Sequence, residues 1–357
     1  IDEATIVAVE QLALAQVADF RLPGLALGLV GEQGLVWCGG FGTAKLDDDV
    51  RPNENTIARV ASVTKTFTTT AILQLRDEGL LGLDDPLRSH IPEFGQVQEC
   101  GGTIEGVTLR RLLTHRSGLV TESPTRGWGE LNFPSMAEIL ADLPRTQVVI
   151  SPDSAWKYSN LGFGLLGEVV HRLTGLAYED YVIANILEPL QLGSTVFDLA
   201  ESMRPRFYTG YNPPCYQDRP KPAANAHLCG LAAAGQLHST VADLSRWVAF
   251  QFAGDGGRRN AAQILDGHTL TEMQRPQYLE SDWSAGQCLG WRATRIGDRV
   301  YHNHGGGIHG FTTQVWFHIP SRTGAIALIN MWPAPGGIDL VQQVLELVLG
   351  QQQADNA

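Results

Sequence analysis

Arg59-Val60-Ala61-Ser62-Val63-Thr64-Lys65-Thr66-Phe67-Thr68 leads into a segment, Ala61 to Glu78, that reads as a helix, buried near its start and amphipathic later. Gly79 stops it, as a glycine after a helix C-terminus does. Residues at i and i+3 on a helix share a face, so the Lys65 ammonium is within reach of the Ser62 hydroxyl. A hydroxyl alone is a poor nucleophile at neutral pH. It needs a nearby base, and a desolvated lysine with a lowered pKa can serve. The helix N-terminus adds backbone N–H groups and the positive end of its dipole.

Outward from this helix, strands gather at the two ends of the chain. Residues 2 to 20 carry Ile6, Val9, Leu12, Leu14 and Val17 at helical spacing. Gly24 to Val30 and Gly34 to Phe41 are apolar runs joined by Gly31-Glu32-Gln33-Gly34, a β-hairpin pattern. Arg299 to His304, Thr312 to Ile319 and Gly324 to Asn330 read as strands, and Ile338 to Leu349 as a closing helix. Between these ends lie helical patterns over 108–113, 161–173, 178–186 and 241–252, the last capped by Thr240. Residues 118–135 read as a loop, and the proline-rich 203–230 as a long surface loop. Joining the end strands gives an α+β fold: one antiparallel sheet flanked by helices, plus a mainly helical lobe. The expected division of this single unit, 1–357, is an α/β lobe from about 1–80 and 285–357 and a helical lobe over about 81–284.

Composition narrows the function. Hydrophobic residues at 43% and charged residues at 18% are those of an ordinary globular protein. The longest apolar runs, such as Leu25 to Val30, fall far short of the roughly 20 residues a membrane helix needs. A net charge of −12 with no Lys/Arg block excludes nucleic acid as a partner. The five cysteines lack CxxC spacing, which argues against a zinc cluster. Cys215 and Cys229 flank a proline-rich loop, where a pair or two free thiols both fit. There are only four lysines (Lys45, Lys65, Lys157 and Lys221), so a lysine inside a motif is informative.

Two further stretches carry chemistry. In Tyr158-Ser159-Asn160 a phenol can relay or accept a proton, and an amide can hold both a lysine and a substrate. In His304-Gly305-Gly306-Gly307, at the end of a predicted strand, glycines let a substrate lie close to the backbone. A free N–H there helps to stabilise an oxyanion. SxxK alone is weak: fifteen serines and four lysines make roughly 0.2 such pairs by chance. Ser154-Ala155-Trp156-Lys157 repeats it, in a turn region after Pro152-Asp153. The order of the three motifs along the chain carries more weight than any one of them.

That order resembles the serine penicillin-recognising enzymes. It is most similar to the class C β-lactamase-related branch, with its DD-carboxypeptidases, D-aminopeptidases and amidases, and β-lactamase-like esterases. Leu112-Leu113-Thr114-His115-Arg116-Ser117-Gly118-Leu119 and Ile186 to Leu192 also look like that branch, and the resemblance runs from about Pro23 to Leu349. It implies a β-lactamase/penicillin-binding-protein-like fold and a serine hydrolase. It implies Ser62 as nucleophile, Lys65 as its base partner and Tyr158 as general acid/base. Asn160, His304 and Gly306 would bind substrate, and the backbone N–H groups of Ser62 and Gly307 would form the oxyanion hole.

The chain departs from the branch where class C β-lactamases carry Lys-Thr-Gly. His304 is mostly neutral at pH 7, with an unperturbed pKa near 6.5, and offers a substrate carboxylate no fixed charge. The expected activity is therefore cleavage of ester or amide (D-amino-acid peptide-like) bonds in a small molecule or peptide. A class C-type β-lactamase and a catalytically silent binding protein are the alternatives. No cofactor is expected, and the expected compartment leans extracytoplasmic. Gly162-Phe163-Gly164-Leu165-Leu166-Gly167 matches GxGxxG but follows no strand, and reads as close helix packing. His302, His304 and His309 have no nearby carboxylate to complete a metal site. His115 and Arg116 read as structural.

Overall fold

The computed structural model describes residues 1–129, 131–214, 219–254, 264–334 and 336–354. Among them, eight strands form one antiparallel sheet: β1 (Gly24–Gly31), β2 (Gly34–Gly42), β3 (Tyr278–Leu279), β4 (Ala285–Gln287), β5 (Arg292–Ile296), β6 (Arg299–Ile308), β7 (Phe311–His318) and β8 (Thr323–Ile329). Their order is β2-β1-β8-β7-β6-β5-β4-β3. The expected hairpin is β1 and β2, and β1 joins the far end of the chain by pairing with β8, Leu27 opposite Ala327. Among the described residues, five helices are longer than ten residues: α1 (Glu3–Asp19), α2 (Thr64–Asp77), α3 (Asn160–Thr174), α4 (Val241–Gln251) and α5 (Gly337–Ala354).

β1 is buried on both faces, so its alternation sorts side chains between two layers. Leu25, Leu27 and Leu29 pack with Val9 and Ala13 of α1 and Val341 and Leu345 of α5. Each of these leucines contributes about 1.5–3 kcal/mol by leaving water. Ala26 and Val30 face the opposite layer, with Trp247 of α4 and Phe67 of α2. Gly28 lies under α4, where a Cβ would stand 2.3 Å from Val241 Cγ1.

α2 runs through this second layer with Thr64, Thr66, Thr68, Thr69 and Thr70 all buried. Threonine is a modest helix former, but its hydroxyl can bond a carbonyl one turn back. Thr69 donates to Lys65 O at 2.8 Å and Thr70 to Thr66 O at 3.0 Å, so these hydroxyls go into the core already partnered. The Phe67 ring stacks on Trp247 with centroids 3.9 Å apart.

Several elements differ from expectation. Leu14 is exposed, because the buried stripe of α1 runs through Thr5, Val9 and Ala13 at four-residue steps and Leu14 lies beside it. The start of the expected 61–78 helix is a separate 3₁₀ turn, Ala61–Val63, before α2. β6 does not stop at His304 but continues through the three glycines to Ile308. Residues 203–230 are not all surface: Tyr208, Tyr211 and Leu228 are buried, and Tyr211–Asn212 pairs with Lys221–Pro222. α4 packs on β1, β2 and β8, against the sheet. The pairing considered for Cys215 and Cys229 lies outside the described residues.

Candidate active site

Four chain segments converge on Ser62. The first is its own turn. Ala61 has φ +47°, a left-handed conformation that costs a non-glycine residue about 1–2 kcal/mol, and it turns the chain directly before Ser62. Lys65 follows one turn later, fully buried. Its Nζ lies 3.2 Å from Ser62 Oγ and donates to Asn160 Oδ1 at 2.8 Å and to Ala234 O at 2.6 Å. Burial pulls the Lys65 pKa down to about 7, partly opposed by the negative charge of Glu122. Lys65 is therefore substantially unprotonated at neutral pH.

The second segment is Tyr158-Ser159-Asn160. Ser159 is the N-cap of α3: its backbone is extended and its Oγ accepts from Gly162 N at 2.9 Å. An extended residue puts its two neighbours on one side, so Tyr158 and Asn160 both reach the site. Tyr158 Oη donates to Ser62 Oγ at 2.7 Å, and burial raises the Tyr158 pKa above that of an ordinary phenol. His115 holds this segment from behind. Its Nδ1 accepts from Ser159 N at 3.2 Å and its ring lies 4.3 Å from the Tyr158 ring. Burial, with Lys65 and His304 nearby, keeps the His115 pKa well below the usual histidine value, so the ring is a neutral acceptor.

The third segment is the loop at 120–128. Thr121 O accepts from Asn160 N at 2.8 Å and Leu161 N at 3.0 Å, fixing the loop to the start of α3. Glu122 Oε1 then accepts from Asn160 Nδ2 at 2.5 Å and from Trp128 Nε1 at 3.0 Å. Asn160 is thereby oriented, with its oxygen on Lys65 and its nitrogen on Glu122.

The fourth segment is β6. A Cβ on Gly306 would lie 2.2 Å from Val60 O, so the glycine lets the strand press against the turn that carries Ser62. Gly306 lines neither cavity at Ser62, whereas Gly307 lines both. His304 lies in the wall of one cavity. Its Nδ1 donates to Gly305 O at 2.7 Å, leaving Nε2 as the acceptor of a neutral ring. Burial and the neighbouring Lys65 pull its pKa down to about 4, so it carries no charge at pH 7.

Two cavities meet at Ser62, Tyr158 and Gly307. One, of about 120 Å³, is walled mainly by apolar groups, among them Trp128, Leu228, Leu231 and Ile308. The other, of about 320 Å³, has Gln287, Arg292, Asn303 and His304 in its wall together with Trp156. The arrangement provides a hydroxyl next to an amine of lowered pKa and a phenol that keeps its proton, the elements of general base and general acid catalysis.

This constellation lies on a recognisable scaffold. The beta-lactamase family model matches residues 9–348. The chain belongs to the beta-lactamase family. Among curated relatives of this beta-lactamase-family chain, the human "Putative beta-lactamase-like 1" is 29% identical over 88% of the chain and 62% of that protein. "Protein flp" of Staphylococcus aureus (strain MW2) is 24% identical over 87% of the chain and 60% of that protein. The chain thus spans about three-fifths of the length of these relatives. Among solved structures, a D-stereospecific amidohydrolase from Streptomyces sp. aligns with TM-score 0.77 at 25% identity, over 97% of this chain and 98% of that one. The octameric penicillin-binding protein homologue from Pyrococcus abyssi aligns at 0.81 and 24% identity, over 97% and 77% of the two chains. A beta-lactamase/D-alanine carboxypeptidase from Yersinia pestis aligns at 0.78 and 23%, over 97% and 100%. These two likenesses establish the fold.

Other residues marked in the sequence lie elsewhere. Ser154 Oγ donates to Ser151 O, and Lys157 Nζ to Thr121 Oγ1, so the second SxxK pair does not form a couple. Gly162, Gly164 and Gly167 pack α3 closely: a Cβ at each would lie under 3.0 Å from Leu112, Leu231 and Ala233 respectively. His302 binds Gln274 O and His309 stacks between Trp128 and Trp332. Among the described residues no group of three His, Cys, Asp or Glu stands where it could hold a metal ion. Glu122, Ala234 and Arg292 escaped the sequence reading: Glu122 sits on a loop, Arg292 on β5, and Ala234 offers only a backbone carbonyl from the short helix Ala232–Gly235, each with no motif around it.

Proposed function

We propose that the chain is a serine hydrolase that cleaves ester or amide (D-amino-acid peptide-like) bonds through an acyl-enzyme on Ser62. The observation that carries this is the double contact at Ser62 Oγ: Lys65 Nζ at 3.2 Å and Tyr158 Oη at 2.7 Å. Ser62 Oγ attacks the carbonyl carbon, and its proton passes to unprotonated Lys65. Tyr158, which holds its proton, donates toward the leaving oxygen or nitrogen. The backbone N–H groups of Ser62 and Gly307 take the developing oxyanion, the kind of contact typically worth 10²–10³ in rate. Water then attacks the acyl-enzyme, with the same groups returning the proton. Positioned acid–base groups of this kind contribute roughly 10²–10⁴-fold.

The neutral His304 supports an ester or amide substrate over a β-lactam, because it gives no fixed cation where class C β-lactamases have lysine. The test is incubation with a fluorophosphonate and measurement of intact mass, alongside hydrolysis of a short-chain ester. Expected are one phosphonyl adduct on the wild type, none on Ser62→Ala, and ester hydrolysis lost in that variant but unaffected by chelators. Unchanged ester hydrolysis by Ser62→Ala would overturn the reading. Nitrocefin cleaved as fast as the ester would replace it with a β-lactamase.

A further inference from the structure

Away from Ser62 the chain forms a groove of about 400 Å³ that the serine chemistry does not use. Gly164 and Gly167 of α3, Met136 and Leu140 of the short helix Met136–Ala141, and Cys229 and Ala233 of the segment 228–235 make its walls. We infer that this groove is a second binding site, whose ligand is a small organic ammonium with an apolar body. The inference does not depend on the serine hydrolase reading.

Size and walls define the apolar half of the ligand. Pockets for small molecules run from about 300 to 1,000 Å³ and are lined mainly by apolar groups, with a few placed polar ones. Tyr178 commits its hydroxyl to Thr68 Oγ1 at 2.7 Å, which leaves its ring for the groove.

The polar groups define the charged half. No Lys or Arg lines the groove, whereas Glu168 and Glu179 do. Glu168 is only 9% exposed. Its Oε1 accepts from Arg172 Nε at 2.7 Å, and the same guanidinium bonds both oxygens of Glu93, so one cation serves two carboxylates. Glu179 has no hydrogen-bond or ion-pair partner among the described residues. His171 Nδ1 donates to Leu176 O at 2.8 Å, so its Nε2 is a further acceptor. A neutral or anionic occupant would take these carboxylates out of water without a counter-charge, which is costly. An ammonium pairs with them through charge-assisted hydrogen bonds. The net charge of −12 also draws cations toward the surface.

The segment 228–235 is a partition between this groove and the catalytic site. Cys229, Gly230, Ala232 and Ala233 line the groove, while Leu228, Leu231 and Ala234 line the smaller cavity at Ser62. Cys229 is a free, exposed thiol, so it reports on occupancy of the groove alone.

The experiment uses 4-phenylbutylammonium, with 4-phenylbutanol and 5-phenylpentanoate as neutral and anionic counterparts, at pH 8 and low salt. Calorimetry should give one saturable site for the cation with a dissociation constant of about 1 mM or below. The alcohol should bind roughly fivefold more weakly, and the carboxylate not at all. Cation at roughly ten times its dissociation constant should slow alkylation of Cys229 by iodoacetamide roughly tenfold, mapped by peptide mass. Alkylation of Cys100, which is exposed and outside the groove, should keep its rate. Glu179→Gln should weaken the cation roughly threefold or more and leave the alcohol unchanged. Ala177→Trp, at an exposed position in the lining, should block the groove and abolish binding while the urea midpoint is retained. No saturable binding of the cation, an alcohol that binds as tightly, an unprotected Cys229, or an affinity unchanged in both variants would overturn the inference. Each of these outcomes leaves the reading of Ser62 untouched, and loss of that reading leaves this site standing.

Discussion

Asn160 Nδ2 donates to Glu122 Oε1 at 2.5 Å, and the same amide presents its oxygen to Lys65 Nζ at 2.8 Å. Glu122 therefore acts on the site twice. It orients the amide, and its charge opposes part of the fall that burial imposes on the Lys65 pKa. Glu122→Gln keeps the shape and an acceptor oxygen but removes the charge. Without it, Lys65 loses its proton at lower pH, and a base is active when unprotonated. The acid limb of kcat/KM against pH, expected near pH 7 in the wild type, should move to lower pH in the variant. A limb that stays in place or moves up would contradict the assignment of Lys65 as the titrating base.

Gly306 marks the closest approach of β6 to the Ser62 turn. In Gly306→Ala the new methyl meets Val60 O, a backbone atom that cannot swing aside, so the strand must retreat by a fraction of an ångström or more. Gly307 retreats with it. A misplacement of about 1 Å can cost roughly 10²-fold in rate, and overpacking costs about 1–3 kcal/mol in stability. Expected is a drop of roughly a hundredfold in kcat/KM with a cooperative unfolding transition retained, measured by ester hydrolysis and urea denaturation. Wild-type activity would mean that β6 does not set the oxyanion contact.

Thr68 supports the site from behind. Its hydroxyl is buried, bonds Ala233 O at 2.6 Å and lies 2.7 Å from Tyr178 Oη. Ala233 adjoins Ala234, whose carbonyl takes Lys65 Nζ. Thr68→Val preserves shape but strands two buried polar groups. It should cost about 1–3 kcal/mol in urea unfolding and lower kcat more than it raises KM. Unaltered stability would show that water or a rearrangement replaces the lost bonds.

Histidines held neutral by the fold, His115, His238, His302 and His304 among them, set the acid stability. Burial pulls His302 and His304 down to about 4 and His238 down to about 3, from an ordinary 6.5. Their folded pKa values lie below the unfolded ones, so between about 6.5 and 4 the unfolded chain binds more protons. Stability is lost as pH falls through that window. The urea midpoint should decrease from pH 7 to pH 5, before most carboxylates take up protons. A midpoint unchanged over that interval would contradict the burial of these rings as neutral groups.

The fold was readable from sequence where period and punctuation coincide. The β1–β2 hairpin, α2 with Gly79 at φ +75°, and α3 with Gly175 at φ +73° stand where apolar runs, helical spacing and glycine placed them. β3, β4 and β5 were missed because they are two to five residues long and polar in part, as in Arg292-Ala293-Thr294-Arg295-Ile296. Their pairing depends on β6, which is remote from any local pattern. In the site, Ser62 and Lys65 were readable because spacing alone puts them together, even on a turn that begins as 3₁₀. Ser154 and Lys157 have the same spacing and do not meet, since no helix carries them. Glu122, Trp128 and Ala234 were not readable, because a loop residue and a backbone carbonyl owe their place to tertiary packing.

The most direct test is rapid quenching of the enzyme during turnover of p-nitrophenyl butyrate, with digestion and mass mapping of the acyl group. The expected result is a butyryl group on the peptide containing Ser62 that forms before steady state, together with no adduct and no turnover in Ser62→Ala. Turnover without an adduct on Ser62, or an adduct on another residue with Ser62→Ala still active, would contradict the acyl-enzyme mechanism.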